Sequence, residues 1–236
     1  MKTLLVILLM ASVVRSENRT ETQRYTGTAT DLKSGTVIYF EEHEAVYEGG
    51  EHVRSVITYR DPNRAVIAEK RIVLNGSSAA AFRLEDFRYG TIEGAEPAAG
   101  GLKLFEKEKH GSSLNERTLS IPGTVAVDAG LNVLVRQSWD RLERGEKVGF
   151  NLGVPSQLDY FQFRVVKERE EMFRGRKAMV VRFESDHWYI RLFVDPVVVW
   201  YDAETRRALN YEGISNIYDR SGKAYLVRVT FDKPGP

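Results

Sequence analysis

The chain has 236 residues, 28% of them charged, and its 34 basic and 33 acidic side chains leave a formal charge of +1. The two signs are interspersed, with no basic stripe or polybasic tail, which disfavours nucleic acid and anionic membrane surfaces as partners. Cysteine is absent, which excludes disulfides, thiol catalysis, iron–sulfur clusters, cysteine-rich zinc sites and lipid attachment to an N-terminal cysteine.

Met1 and Lys2 precede an apolar run from Thr3 to Val14, then Arg15 and Ser16. A positive start, a short apolar stretch and small residues at its end predict a secretory signal peptide over 1–16, cut after Ser16. The run falls short of the roughly 20 residues that a spanning helix needs. The expected destination is the periplasm or the exterior, with no transmembrane segment left after processing. Residues 17–24 read as a polar leader, and 25–236 as a single antiparallel β domain. Two sequons, at Asn18 and Asn75, matter only in a eukaryotic secretory pathway.

The clearest hairpin spans 36–60 and turns at Gly49-Gly50, a pair suited to a type I′ turn. That turn sets Glu48 against Glu51 and Tyr47 against His52. Continued without interruption, the register puts Ile38, Phe40, Val46, Val53, Ile57 and Tyr59 on the core face. Tyr39, Glu41, His43, Tyr47, His52, Arg54 and Arg60 then face water. Glu41 and His43 could supply two metal ligands, but with no third in view a solvated face is the expectation. Glu42 and Glu44 fall on the apolar face, where a charge must be paired, protonated or wet. The functional reading is a polar patch lining a cavity; the favoured reading is a β-bulge that turns both to solvent.

Asp61-Pro62-Asn63-Arg64 predicts a second turn, followed by a strand through 65–74. Further strands are predicted at 82–87, 102–107, 160–166, 178–183, 188–194, 197–201, 208–214 and 225–231. In the strand at 188–194 both faces are apolar, so it is expected to be covered on two sides. Arg191 there would pair with a buried carboxylate or grip an anionic headgroup; the alternative, which is favoured, is a packed stem with its head in water.

One segment breaks the alternation. Leu131, Leu134, Val135, Trp139 and Leu142 recur at helical spacing. Asp128 is placed to cap the start and Gly145 to end the helix, giving an amphipathic helix near 128–144. The fold class is therefore mainly β: a curved antiparallel sheet, an open or half barrel, with one amphipathic helix packed against it.

Three stretches carry a family resemblance. They are Tyr59-Arg60-Asp61-Pro62, Asn151 to Ser156 with Tyr160-Phe161, and Tyr211 to Ile217. With them, most of residues 25–232 resembles uncharacterised exported proteins of Gram-negative bacteria. More loosely, the chain is similar to the periplasmic lipoprotein-carrier superfamily. That likeness implies a half-barrel with a helix over its concave side, and in several members the binding of acyl chains or other hydrophobic ligands. No functional residue carries over.

No Gly-x-Ser-x-Gly elbow occurs, Ser215 has no assignable base, and Gly49-Gly50 and Gly100-Gly101 read as turns rather than phosphate loops. No cofactor is expected. The leading expectation is a non-enzymatic exported protein that binds a hydrophobic or amphipathic small molecule such as an envelope lipid. Trp139, Leu142, Trp188, Arg191 and Glu42 are the candidate lining residues. Trp139, Trp188 and Trp200 are expected between helix and sheet, as a filled core or a cavity wall. The alternatives are a structural envelope protein that docks a protein partner by strand addition and, less favoured, an enzyme using Glu42 and Arg191.

Overall fold

A computed structural model describes residues 20–187 and 196–235. The first eight strands are β1 (Thr20–Asp31), β2 (Val37–Glu48), β3 (Glu51–Arg60), β4 (Val66–Val73), β5 (Ala81–Asp86), β6 (Thr91–Ala98), β7 (Gly101–Lys107) and β8 (Asn115–Leu119). There follow β9 (Val125–Ala126), the helices α1 (Gly130–Gln137) and α2 (Trp139–Glu143), and β10 (Val148–Val154). The last five strands are β11 (Asp159–Phe173), β12 (Arg176–Ser185), β13 (Val197–Asp202), β14 (Ala208–Tyr218) and β15 (Ala224–Phe231).

All fifteen belong to one sheet, ordered β8 through β1, then β15 back through β9. Every pairing is antiparallel except β9 with β10. The sheet is curved and open: β8 pairs only with β7, and β9 only with β10. Residues 120–124 join these two edges, a connection that spans no more than about 20 Å. Arg117 Nη1 reaches across to the Leu158 carbonyl at 3.3 Å. The strand predicted at 188–194 lies outside the described residues. Residues 20–24, read from sequence as leader, extend β1 and pair with β2; their polar side chains are mostly exposed, and the ladder itself needs only backbone groups.

The first hairpin turns where predicted, with Gly49 and Gly50 both at positive φ, as a type I′ turn requires. Its faces differ from those of an uninterrupted register, and a β-bulge, the favoured reading for Glu42 and Glu44, is the cause. Tyr47 opposes His52 but Val46 opposes Arg54, so Val53 is an extra residue in β3. Beyond this bulge Tyr59 faces Glu41 and Ile57 faces His43. Tyr59 and Ile57 face the core as expected, and the bulge brings Tyr39, Glu41, His43 and Ala45 in with them. Glu42 and Glu44 turn outward, where they pair with Arg60 and Arg24. One inserted residue inverts a whole strand, because side chains alternate with period two.

The predicted helix is two short helices meeting at Ser138. Gly145 ends it at φ +79° as expected. Gly130 is explained by packing, since a Cβ there would lie 1.9 Å from the Ser78 carbonyl oxygen. Asp128 does not cap the helix by its side chain from the N-cap position, which is Ala129. Its carboxylate turns instead to Lys70 on β4.

Two clusters fill the inner face. One joins Tyr39, Tyr59, Ile72, Phe82, Leu104 and Val229 to Val127 ahead of α1 and Val133 within it. The other packs Leu134, Trp139 and Leu142 on Val148, Phe150, Met179 and Phe183. Trp200 does not join Trp139. It sits on the opposite face with Ala178, Val180 and Leu209, because its neighbours Val199 and Tyr201 take the inward positions of β13.

Candidate ligand cavity

Between the first turn of α1 and the inner face of the sheet lies a cavity of about 240 Å³. Its walls come from β1–β4 and β12–β15, and Asp128, Ala129, Leu131 and Asn132 form its lid. This volume exceeds the roughly 150 Å³ of an engineered apolar cavity known to admit benzene. Most of the lining is aliphatic or aromatic, including Ile57, Ile72, Val197, Val229 and Phe231.

Polar groups enter from three directions. On β2, His43 Nε2–H donates to Glu41 Oε2 at 2.8 Å, with both residues buried. Glycine at 27 leaves room for that carboxylate, since a Cβ there would stand 3.2 Å from Glu41 Oε2. Lys70 Nζ donates to Asp128 Oδ2 at 2.7 Å, the two side chains being 9% and 10% exposed. Asn216 donates to the same oxygen at 3.0 Å, and Asp128 Oδ1 accepts the Ala129 N–H at 2.7 Å. The third set is phenolic. The Tyr39 hydroxyl pairs with Ser215 Oγ at 2.8 Å, and Tyr201 donates to Asn132 Oδ1 at 2.6 Å. Burial pushes the Tyr25, Tyr39 and Tyr59 phenols well above their usual range, so they are neutral donors at physiological pH.

Tyr25 stacks on His43 with ring centroids 4.3 Å apart. Among the described residues four buried side-chain polar atoms lack a partner, and three cluster here: the Tyr25 and Tyr47 hydroxyls and His43 Nδ1. An orphaned buried polar group is a stability debt of about 1–3 kcal/mol. The Y25F variant should therefore unfold at higher denaturant than the parent, by about 1 kcal/mol. The Y39F variant, which removes the hydroxyl paired with Ser215 Oγ, should lose about 1 kcal/mol. Equal shifts for the two variants in urea titrations would contradict this assignment.

Ser55 also lines the cavity, with its Oγ 2.6 Å from His52 Nε2. It is the closest approach to a nucleophile–base pair in the cavity wall. Burial first, and then the Arg136 charge, push His52 down to about 4, which makes it a feeble base at neutral pH.

The residues proposed from sequence are placed differently. Trp139 and Leu142 are fully packed beneath α2 and are not part of the cavity wall. Glu42 is on the outer face, removed by the bulge, with Arg60 Nε 2.8 Å away. Trp188 and Arg191 lie outside the described residues. Glu41 and His43, expected in water, are buried and line the cavity. They come together without a third partner of metal-binding type: among the described residues no group of three or more His, Cys, Asp or Glu side chains is placed to hold an ion. Two further site residues had a signal in the sequence. Lys70 shares its strand face with Ala68, Ile72 and Leu74, a charge in an apolar alternation. Asp128 stands at the one place where strand periodicity gives way to helical periodicity.

A strongly curved sheet with a helix over its inner face is the half-barrel arrangement. The chain is loosely similar to the solved structure of a putative outer membrane lipoprotein-sorting protein domain from Vibrio parahaemolyticus. The TM-score is 0.31 at 10% identity, covering 91% of this chain and 83% of that one. A DUF1329 family protein from Desulfovibrio piger gives a TM-score of 0.31 at 8% identity, covering 92% of this chain and 85% of that one. No family model and no curated protein matches the chain. At such scores nothing about activity passes from these structures to this chain.

Proposed function

We propose that this is an exported, non-enzymatic binding protein whose cavity holds a hydrophobic or amphipathic small molecule, such as a lipid of the bacterial envelope. The carrying observation is the cavity itself: about 240 Å³ of mainly apolar space with a few buried polar groups converging on it, the form that small-molecule sites take. The N-terminal charge and apolar run support export, and no helix among the described residues is long and apolar enough to cross a membrane. A purely structural role called for a filled core, and the cavity counts against it. The weak base at His52 counts against an enzyme built on Ser55.

Native mass spectrometry of the protein from its own exported compartment tests the proposal, followed by solvent extraction. The expected spectrum shows a chain beginning at Glu17 and a stoichiometric, extractable companion. A full-length chain would refute export by cleavage. A bare mass, together with failure to take up any amphiphile added back, would refute the ligand reading.

A further inference from the structure

Resting on that reading, the geometry points to an uncharged, hydroxyl-bearing head on the ligand, bound at the Tyr25–His43 end of the cavity. Glu41 occupies the Nε2–H of His43, since a carboxylate only accepts. His43 Nδ1 and the Tyr25 hydroxyl are both left without a partner; with the proton on Nε2, Nδ1 is open to accept, and a hydroxyl both donates and accepts. Both residues line the cavity, and their rings stack with centroids 4.3 Å apart, so a head group seated at this end lies against both. A hydroxyl completes both: its proton goes to Nδ1 and its oxygen accepts from Tyr25.

Charge selects against the acidic alternative. The cavity wall carries one ammonium, Lys70, and two carboxylates, Glu41 and Asp128. Lys70 is committed to Asp128, which leaves the Glu41 carboxylate partnered by His43 alone. Arg207 lies over the Tyr47 ring at 4.6 Å and bonds Gln23, and it is not part of the cavity wall. A fatty-acid carboxylate or a phosphate placed on His43 would be desolvated beside a like charge, which is costly in a medium of low polarity.

Three eight-carbon probes of equal chain length test this by calorimetry on the processed protein: 1-octanol, octanoate and octylamine. Octanol should bind most tightly, with at least about a tenfold margin over octanoate. The Y25F variant should lose about tenfold for octanol, the worth of one hydrogen bond, while its denaturation curve shows it folded. Octanoate or octylamine binding as well as octanol overturns the head-group assignment alone. So does an unchanged octanol affinity in Y25F. Binding of none of the three overturns the assignment and the ligand reading together.

Discussion

Replacing Asp128 by asparagine is expected to remove about 3–5 kcal/mol of stability, the cost of stranding one partner of a buried ion pair. The Lys70 ammonium is 9% exposed, and Asp128 Oδ2 at 2.7 Å is its counter-charge. Asparagine keeps the shape of the side chain and tolerates the φ of +44° at this position. The change therefore isolates the charge from the backbone. The pair also ties β4 to the residue that leads into α1, and Asn216 adds a tie from β14. Losing the charge should loosen the lid of the cavity as well as the fold. The double variant K70M/D128N leaves no stranded ion and should cost less than the two single changes added together. Chemical denaturation of the three variants decides it. A D128N loss below about 1 kcal/mol, or strict additivity, would mean that the pair is wetter than its geometry indicates.

Acidification should destabilise the protein through His52 by about 3 kcal/mol between pH 6.5 and pH 4. In the unfolded chain the imidazole takes up its proton near 6.5; in the folded protein burial and the nearby Arg136 charge hold it to about 4. Across that window the unfolded state binds more protons, so stability is complete above pH 6.5 and falls as the pH drops toward 4. The H52Q variant keeps a polar side chain opposite Tyr47 and near Ser55 but cannot titrate. Its stability should decline less over the same window, with the gap between the two proteins closing as the pH falls. Parallel curves for parent and variant would show that His52 titrates normally.

The regular parts of this fold were legible because their signals are local. A Gly-Gly turn, alternating apolar residues from 225 to 231 and helical spacing from Leu131 to Leu142 each declare one element. The inner and outer faces of β2 were legible only in part: Glu42 and Glu44 on the apolar face pointed to a bulge that turns them to solvent, but not to its place. They depend on Val53, which reads as an ordinary strand residue and becomes a bulge only through its pairing with β2. That single insertion moved Glu41 and His43 into the site and Glu42 out of it. Trp200 misled for a related reason. Trp200 is as apolar as Trp139, yet its position in β13 puts it on the outer face. Lys70 was readable as an anomaly within its strand, but its meaning came from Asp128, 58 residues away. Strand periodicity identifies strands; the site was assembled by register and by long-range pairing, which no local pattern encodes.

The meeting of β1 and β15 in the middle of the sheet gives the protein a seam between the two most distant parts of its chain. Each arm, β1 to β8 and β15 to β9, is a run of sequential neighbours that can zip up by short loop closures. The seam, where Gly27 stands opposite Phe231, requires the whole intervening chain to be in place, and such contacts form slowly. Val229 and Phe231 on the last strand are also part of the cavity wall. A chain synthesised N-terminus first therefore has no complete pocket until β15 has been made and the seam has closed.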